Sequence, residues 1–303
     1  MKKFISGVLA ILMVVSLTAC GGESSSSSTD ATKPSSIEDS STTSQEESSN
    51  PTEVSFEEIT VVDNEQCTIK ITEIDKGNIW GYTLKAYLEN KSADKTYMYS
   101  VTSAAINGVQ TDPLFATEVA AGKKSNSDIS FSSDLKQYGI TDFTDIELSF
   151  KVYDSNDWMA AAVFEGTVHV YPYGEENSSA FVREAKDTDT VIVDNESATV
   201  IVTDYDPNSI WGYTANLYLV NKTDKELMFS VDEASVNGFM SDPFWATSVG
   251  GNKVAFSSLS WSSSDLESNG ITTVEEIEMK LKIYDANDWS ASAVFENTVT
   301  LKP

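Results

Sequence analysis

The chain has 303 residues, with 47 acidic against 20 basic side chains, one His and two Cys. That length accommodates two ordinary domains, while a net charge of −27 leaves no reservoir of Lys and Arg for a phosphate backbone and argues against nucleic-acid binding. A single His builds no His-rich zinc site, and two Cys build no disulfide scaffold.

The first element is an address. Lys2 and Lys3 precede an apolar run from Phe4 to Leu17, and the run ends in Leu17-Thr18-Ala19-Cys20 followed by Gly21 and Gly22. A charged start, a short apolar stretch and small residues at its end make a signal peptide too short to span a membrane. The L-x-A-C ending resembles the bacterial lipoprotein signal. That resemblance implies cleavage after residue 19, a diacylglyceryl thioether on Cys20, and a mature chain held by lipid on the outer face of the cytoplasmic membrane. Two acyl chains anchor stably where one does not. An ordinary secretory signal with an incidental Cys20 is the alternative.

Residues 20–55 are Ser, Thr and acidic residues, with seven carboxylates, Lys33 as the one base, and almost nothing apolar. Such a composition predicts a disordered tether. As a flexible coil its 36 residues would reach roughly 30 to 36 Å, and further with like charges repelling.

One unit is then written twice. NIWGYTLKAYLENKS from Asn78 recurs as SIWGYTANLYLVNKT from Ser209, and VYDSNDW from Val152 recurs as IYDANDW from Ile283. The offset is 131 residues at both ends of the unit and 130 in its middle. The two copies occupy 56–173 and 188–303, joined by a polar linker at 174–187. A period this long exceeds any solenoid repeat, so each copy is expected to be a domain.

Within a copy the period is two. Ile146, Leu148, Phe150 and Val152 alternate with Glu147, Ser149, Lys151 and Tyr153, and Ile277, Met279, Leu281 and Ile283 repeat the pattern, which predicts half-buried antiparallel strands. By the same alternation Trp80 shares a face with Tyr82, Leu84, Ala86 and Leu88, so Trp80 and its counterpart Trp211 are expected in the core. Asn107-Gly108 and Asn237-Gly238 predict tight hairpins. One helical turn is expected near Ser133–Tyr138 and again near Ser264–Gly270. Seven or eight short strands in about 115 residues make the fold class all-β: two tandem immunoglobulin-like antiparallel β-sandwiches, each with one short helical turn, after the tether. The W-G-Y strand, the N-K-[ST] turn, the V-N-G hairpin and the closing I-E-x-K-x-Y-D strand resemble the immunoglobulin-like domains of Gram-positive surface lipoproteins. That resemblance implies a fold and brings no catalytic residues.

Candidate chemistry is sparse. Asp154, Asn156 and Asp157, with Asp285, Asn287 and Asp288 in copy two, place three oxygen-bearing side chains within four residues, as a calcium ion would want; Asp and Asn are equally what a hairpin loop needs. Asp204-Tyr205-Asp206 begins like a calcium loop but lacks the required Gly and Glu at Ser209 and Ala215. Tyr153, Trp158, Tyr284 and Trp289 flank the acidic turns and are candidates for stacking on a sugar, or for packing at a sandwich edge. Cys67 falls in a strand with Ile69 and Ile71 and is expected as a small buried hydrophobe. His169 is expected to face outward as a solvated strand residue, with no nucleophile elbow or oxyanion glycines to accompany it. Copy one carries 18 acidic and 9 basic residues and copy two 18 and 6, an acidity expected to serve solubility, with a cationic or calcium-bridged partner as the alternative. The expectation is a non-enzymatic binding, adhesion or scaffolding module whose partners are the membrane, through the lipid, and a surface protein or glycan. A wall-polymer-binding accessory is the alternative.

Overall fold

A computed structural model describes residues 54–303 apart from Leu114 and Trp289. The signal peptide, Cys20 and all but the last two residues of the tether lie outside the described residues, as does Trp289.

Copy one contributes β1 (Ile59–Asp63), β2 (Cys67–Asp75), β3 (Tyr82–Asn90), β4 (Tyr97–Ile106), β5 (Val109–Thr111), β6 (Ala116–Val119), β7 (Lys124–Phe131), β8 (Ile146–Asp154) and β9 (Phe164–Val170). Copy two repeats the series as β10 (Thr190–Asp194), β11 (Ala198–Ser209), β12 (Gly212–Asn221), β13 (Leu227–Val236), β14 (Phe239–Met240), β15 (Ala246–Val249), β16 (Val254–Trp261), β17 (Ile277–Asp285) and β18 (Phe295–Leu301). Each copy is an immunoglobulin-like sandwich. In the first, a sheet ordered β1-β2-β3-β7 packs on a sheet ordered β5-β4-β8-β9, with β6 also on β4. The second is built the same way, β10-β11-β12-β16 against β14-β13-β17-β18 with β15 on β13.

The alternation buries what it predicted. Ile146, Leu148, Phe150 and Val152 are in the first core, and Ile277, Met279, Leu281 and Ile283 in the second. Both hairpin dipeptides take positive φ, at 52° and 80° for Asn107-Gly108 and 50° and 80° for Asn237-Gly238. The helical turns are a 3-10 turn at Ser133–Tyr138, closed by Gly139 at φ 84°, and α1 at Ser263–Ser268. Cys67 is fully buried, and burial pushes its thiol up to about 11.

The recurring motifs explain themselves as scaffolding. In the N-K-[ST] turn the side chain of Asn90 donates to the carbonyls of Lys95 and Val119, at 2.8 and 2.7 Å, and accepts from the Ser92 amide at 2.9 Å. Asn221 does the same with Lys225, Val249 and Thr223. The following lysines, Lys91 and Lys222, reach back to Asp63 and Asp194 in the opening strand. Buried amides saturated in this way fix the register of three chain segments at once.

The copies share a sheet. Edge strand β5 runs parallel to edge strand β16, Val109 opposite Val254, and the Val254 amide donates to the Gly108 carbonyl at 3.0 Å. The result is one nine-stranded sheet running through both copies. The Gln110 side chain clamps the junction, donating to the Ser248 carbonyl and accepting from the Gly250 amide, both at 2.8 Å. Lys253 pairs with Glu147 at 2.7 Å. Beside this ladder Phe256 stacks on Tyr138 with centroids 3.7 Å apart and planes 4° from parallel. Phe181 joins the same ring cluster from the segment between the copies, and Arg183 lies over Tyr218 while gripping Asp189 through both nitrogens at 2.7 and 2.6 Å.

Candidate functional site

Trp80 and Trp211 are not in the cores. They are 71% and 72% exposed, and the side chains that fill the interiors are Phe131 and Trp261. The alternation of β3 does not extend back through Gly81, whose φ of 103° turns the chain between Trp80 and Tyr82. A Cβ on Gly81 would lie 2.2 Å from the Phe131 carbonyl oxygen, and one on Gly212 would lie 2.1 Å from that of Trp261. The glycine in W-G-Y is therefore required for close approach of two strands, and it sends the tryptophan outward.

The turn that carries Trp80 is fastened from below. Asp75 accepts from the Gly77 amide and from the Asn78 side chain, at 3.0 and 3.1 Å, while Asn78 Oδ1 accepts from the Trp80 amide at 3.0 Å. Ile79 and Trp80 thus stand at a rigid tip. Beneath them opens a cleft of about 580 Å³, lined among others by Lys76, Tyr82, Leu135, Lys136, Asp142, Phe143 and Tyr173. Tyr82 packs against Phe143 at 4.4 Å between centroids, and Phe143 meets Phe131 edge to face at 6.0 Å. The Lys76 ammonium donates to the Tyr173 hydroxyl at 2.5 Å and lies 4.4 Å from that ring's centroid. The Tyr82 hydroxyl is buried with no hydrogen-bond partner, and burial, helped by the nearby Tyr173, holds its pKa far above the ordinary phenol value.

The cleft offers aromatic faces, two ammonium groups and a carboxylate, and the phenol that lines it resists ionisation. Copy two has the same turn with Ile210 and Trp211 exposed, but Pro207 stands in place of Lys76, Glu267 in place of Lys136 and Val274 in place of Phe143. Among the described residues the version with two lysines is that of copy one.

The acidic turns are closed hairpin loops. Asp154 accepts from the Asn156 amide at 3.0 Å and pairs with Lys95 at 3.2 Å, which together hold its carboxyl below the usual range. In copy two Asp285 accepts from the Asn287 amide at 3.0 Å and pairs with Lys225 at 2.7 Å, and Asp288 accepts from Ser290. Among the described residues no group of three His, Cys, Asp or Glu side chains is placed to hold a metal ion. Trp158 is exposed beside its turn, Tyr153 is half-buried on β8, and no ring contact joins the two. Tyr284 lies 5.2 Å under the Lys282 ammonium. His169 faces outward as expected yet is engaged: its Nδ1 lies 2.8 Å from Asp145 Oδ1 and its ring stacks on Tyr171.

The sequence reading missed Lys76, Tyr173 and Phe143. Tyr173 lies just past the last strand of its copy, where no alternation marks it, and the only available signal was the glycine after each exposed tryptophan.

No protein-family model matches the chain, and no curated protein matches it significantly. Among solved structures, the chain is similar to a YadV chaperone at 11% identity, covering 72% of this chain and 92% of that one with a TM-score of 0.22. It is similar at 12% identity to the CsuC–CsuE chaperone–tip adhesion subunit pre-assembly complex from the archaic chaperone-usher Csu pili of Acinetobacter baumannii. There the coverage is 72% and 90% and the TM-score 0.22. A similarity this low carries no argument about what the chain does.

Proposed function

We propose that this chain is a non-catalytic binding module, displayed on a lipid-anchored tether at the outer face of the cytoplasmic membrane, and that its ligand surface is the Trp80 cleft of the first sandwich. The observation that carries the proposal is an indole held outward on a braced turn over aromatic faces and two lysines, in a chain that is otherwise strongly acidic. Large apolar side chains stay exposed on rigid supports where they meet a partner. Sugar rings stack on such faces, so soluble cell-wall glycan fragments are the ligands to test first, with Lys76 and Lys136 favouring those that carry anionic groups.

Titration calorimetry of the full chain carrying Cys20→Ser, against wall glycan fragments, tests the site. The expected result is one site per chain, weakened about tenfold or more by Trp80→Ala or by Lys76→Ala, while Trp211→Ala has no effect; tenfold corresponds to about 1.4 kcal/mol. Binding that persists in Trp80→Ala overturns the assignment. The anchor has its own test: Cys20→Ser should release the chain into the medium, and retention on the membrane overturns it.

A further inference from the structure

The duplication contains its own control experiment. In copy one, the edge strand that follows the Asn-Gly turn is covered by copy two, and Val109 is 0% exposed there. In copy two the equivalent edge, β14, pairs among the described residues only with β13, and Phe239 is left 49% exposed with Met240 still more open. Beyond it Phe244 is 93% exposed and held at φ 48°, a left-handed conformation that a bulky side chain does not adopt without cause. The side chains are also larger and more apolar than those they match: Phe239 for Val109, Met240 for Gln110, Phe244 for Leu114.

The charges around the two edges correspond as well. Across copy one, Glu147 is opposite Ala105, which is opposite Gln110, and Glu147 takes the Lys253 ammonium of the incoming strand. Across copy two, Glu278 is opposite Ser235, which is opposite Met240. Glu278 is exposed, and its register neighbours, Ser235 and Thr300, are neutral. Copy two therefore presents the receiving half of the junction with its acidic acceptor in place and no strand of the described residues delivered to it.

We propose that β14 receives an extended strand from a partner protein, in the parallel sense that β16 takes on β5. That strand carries a lysine for Glu278, on the face that also presents Met240, followed by an apolar residue opposite Phe239 on the other face. A second copy of this chain is a poor occupant. The counterpart of β16 is β7, where Lys124 and Asn126 replace Val254 and Phe256, and two chains of charge −27 repel. Edge-strand addition draws its affinity from main-chain hydrogen bonds and its specificity from alternate side chains, so a short edge with a charged selector suits a chosen partner.

The probe is a labelled peptide with the sequence of residues 250–257, used at up to millimolar concentration against the full chain carrying Cys20→Ser, with fluorescence anisotropy as readout. Saturable binding is expected, reduced about tenfold or more by Glu278→Lys and restored on that variant when the peptide carries Lys253→Glu. Met240→Lys, at an exposed position, should abolish it, and Trp80→Ala should leave it unchanged, which separates this surface from the glycan site. Absence of saturable binding, or binding indifferent to Glu278→Lys and Met240→Lys, overturns the proposal. So does concentration-dependent dimerisation in sedimentation that Met240→Lys removes, since the occupant would then be a second copy.

Discussion

Truncating Phe256 to Ala probes whether the two sandwiches behave as one body. The ring belongs to copy two but packs on the core of copy one, stacked on Tyr138 at 3.7 Å and edge-on to Phe181 at 5.9 Å. Complete burial of a Phe side chain is worth about 1.5 to 3 kcal/mol, so a half-buried ring contributes about 1 kcal/mol. Its ring pairs with Tyr138 of copy one and with Phe181 of the linking segment add about 0.5 to 1.5 kcal/mol each, bringing the loss to about 2 to 4 kcal/mol. Most of it is coupling between the copies, since the ring's contact within its own copy is the tilted pair with Tyr218 at 5.2 Å. For a domain of this size 1 kcal/mol moves the melting temperature by about 4 °C, so calorimetry of Phe256→Ala should show the less stable copy melting about 10 °C below the single transition expected of the parent chain. A single transition within about 2 °C of the parent would refute the coupling.

Other substitutions test individual assignments. Trp80→Ala should change stability by no more than about 0.5 kcal/mol, whereas Trp261→Ala, which empties a buried site and orphans the Ser241 carbonyl it donates to, should cost about 3 to 5 kcal/mol by denaturant titration. Gly212→Ala forces a Cβ against the Trp261 carbonyl at φ 103° and should cost about 3 kcal/mol or more; Gly108→Ala, at φ 80° with nothing within 4 Å, should cost about 1 kcal/mol. Arg183 holds the Asp189 carboxyl down to about 2, against 3.8 for the free group. A depressed carboxylate stabilises the fold above its unfolded pKa and ceases to as pH falls through its folded one, so the stability difference between the parent and Asp189→Asn should be constant above about pH 5 and shrink between pH 4 and 2. A difference independent of pH across that window would exclude the linkage.

How far the sequence carried depends on the range of the interaction involved. The alternation in β8 and β17, the Asn-Gly turns and the helical turn closed by Gly139 are set by neighbours in the chain, and each is found where its residues placed it. Trp80 shows where the local rule ends. Phase counted through a glycine assumes extended φ on both sides, and Gly81 at 103° breaks that assumption, so a residue two positions before Tyr82 faces the opposite way from its expected core position. The junction between the copies depends on residues about 145 positions apart, Val109 with Val254, and no periodicity reports such a pairing. Its trace in the sequence is a difference between the repeats: an edge strand that reads Lys124, Ser125, Asn126 in copy one and Val254, Ala255, Phe256 in copy two.

That difference points to where function lies in a duplicated protein. Positions that the copies share, Gly81 with Gly212, Asn90 with Asn221 and Lys91 with Lys222, all hold backbone in place, and each has a steric or hydrogen-bonding reason to be the residue it is. Positions where the copies part, Lys76 against Pro207 and Gln110 against Met240, lie in the cleft or on the edge strands. Lys124 against Val254 does two opposite jobs on one scaffold: a charged residue on an edge blocks strand addition, and an apolar one invites it. Duplication supplied two equivalent edges of each kind. One pair was spent joining the copies, β7 was closed by charge, and β14 was left open with larger apolar side chains than the edge it mirrors, which is the opposite of what protection against aggregation alone would select.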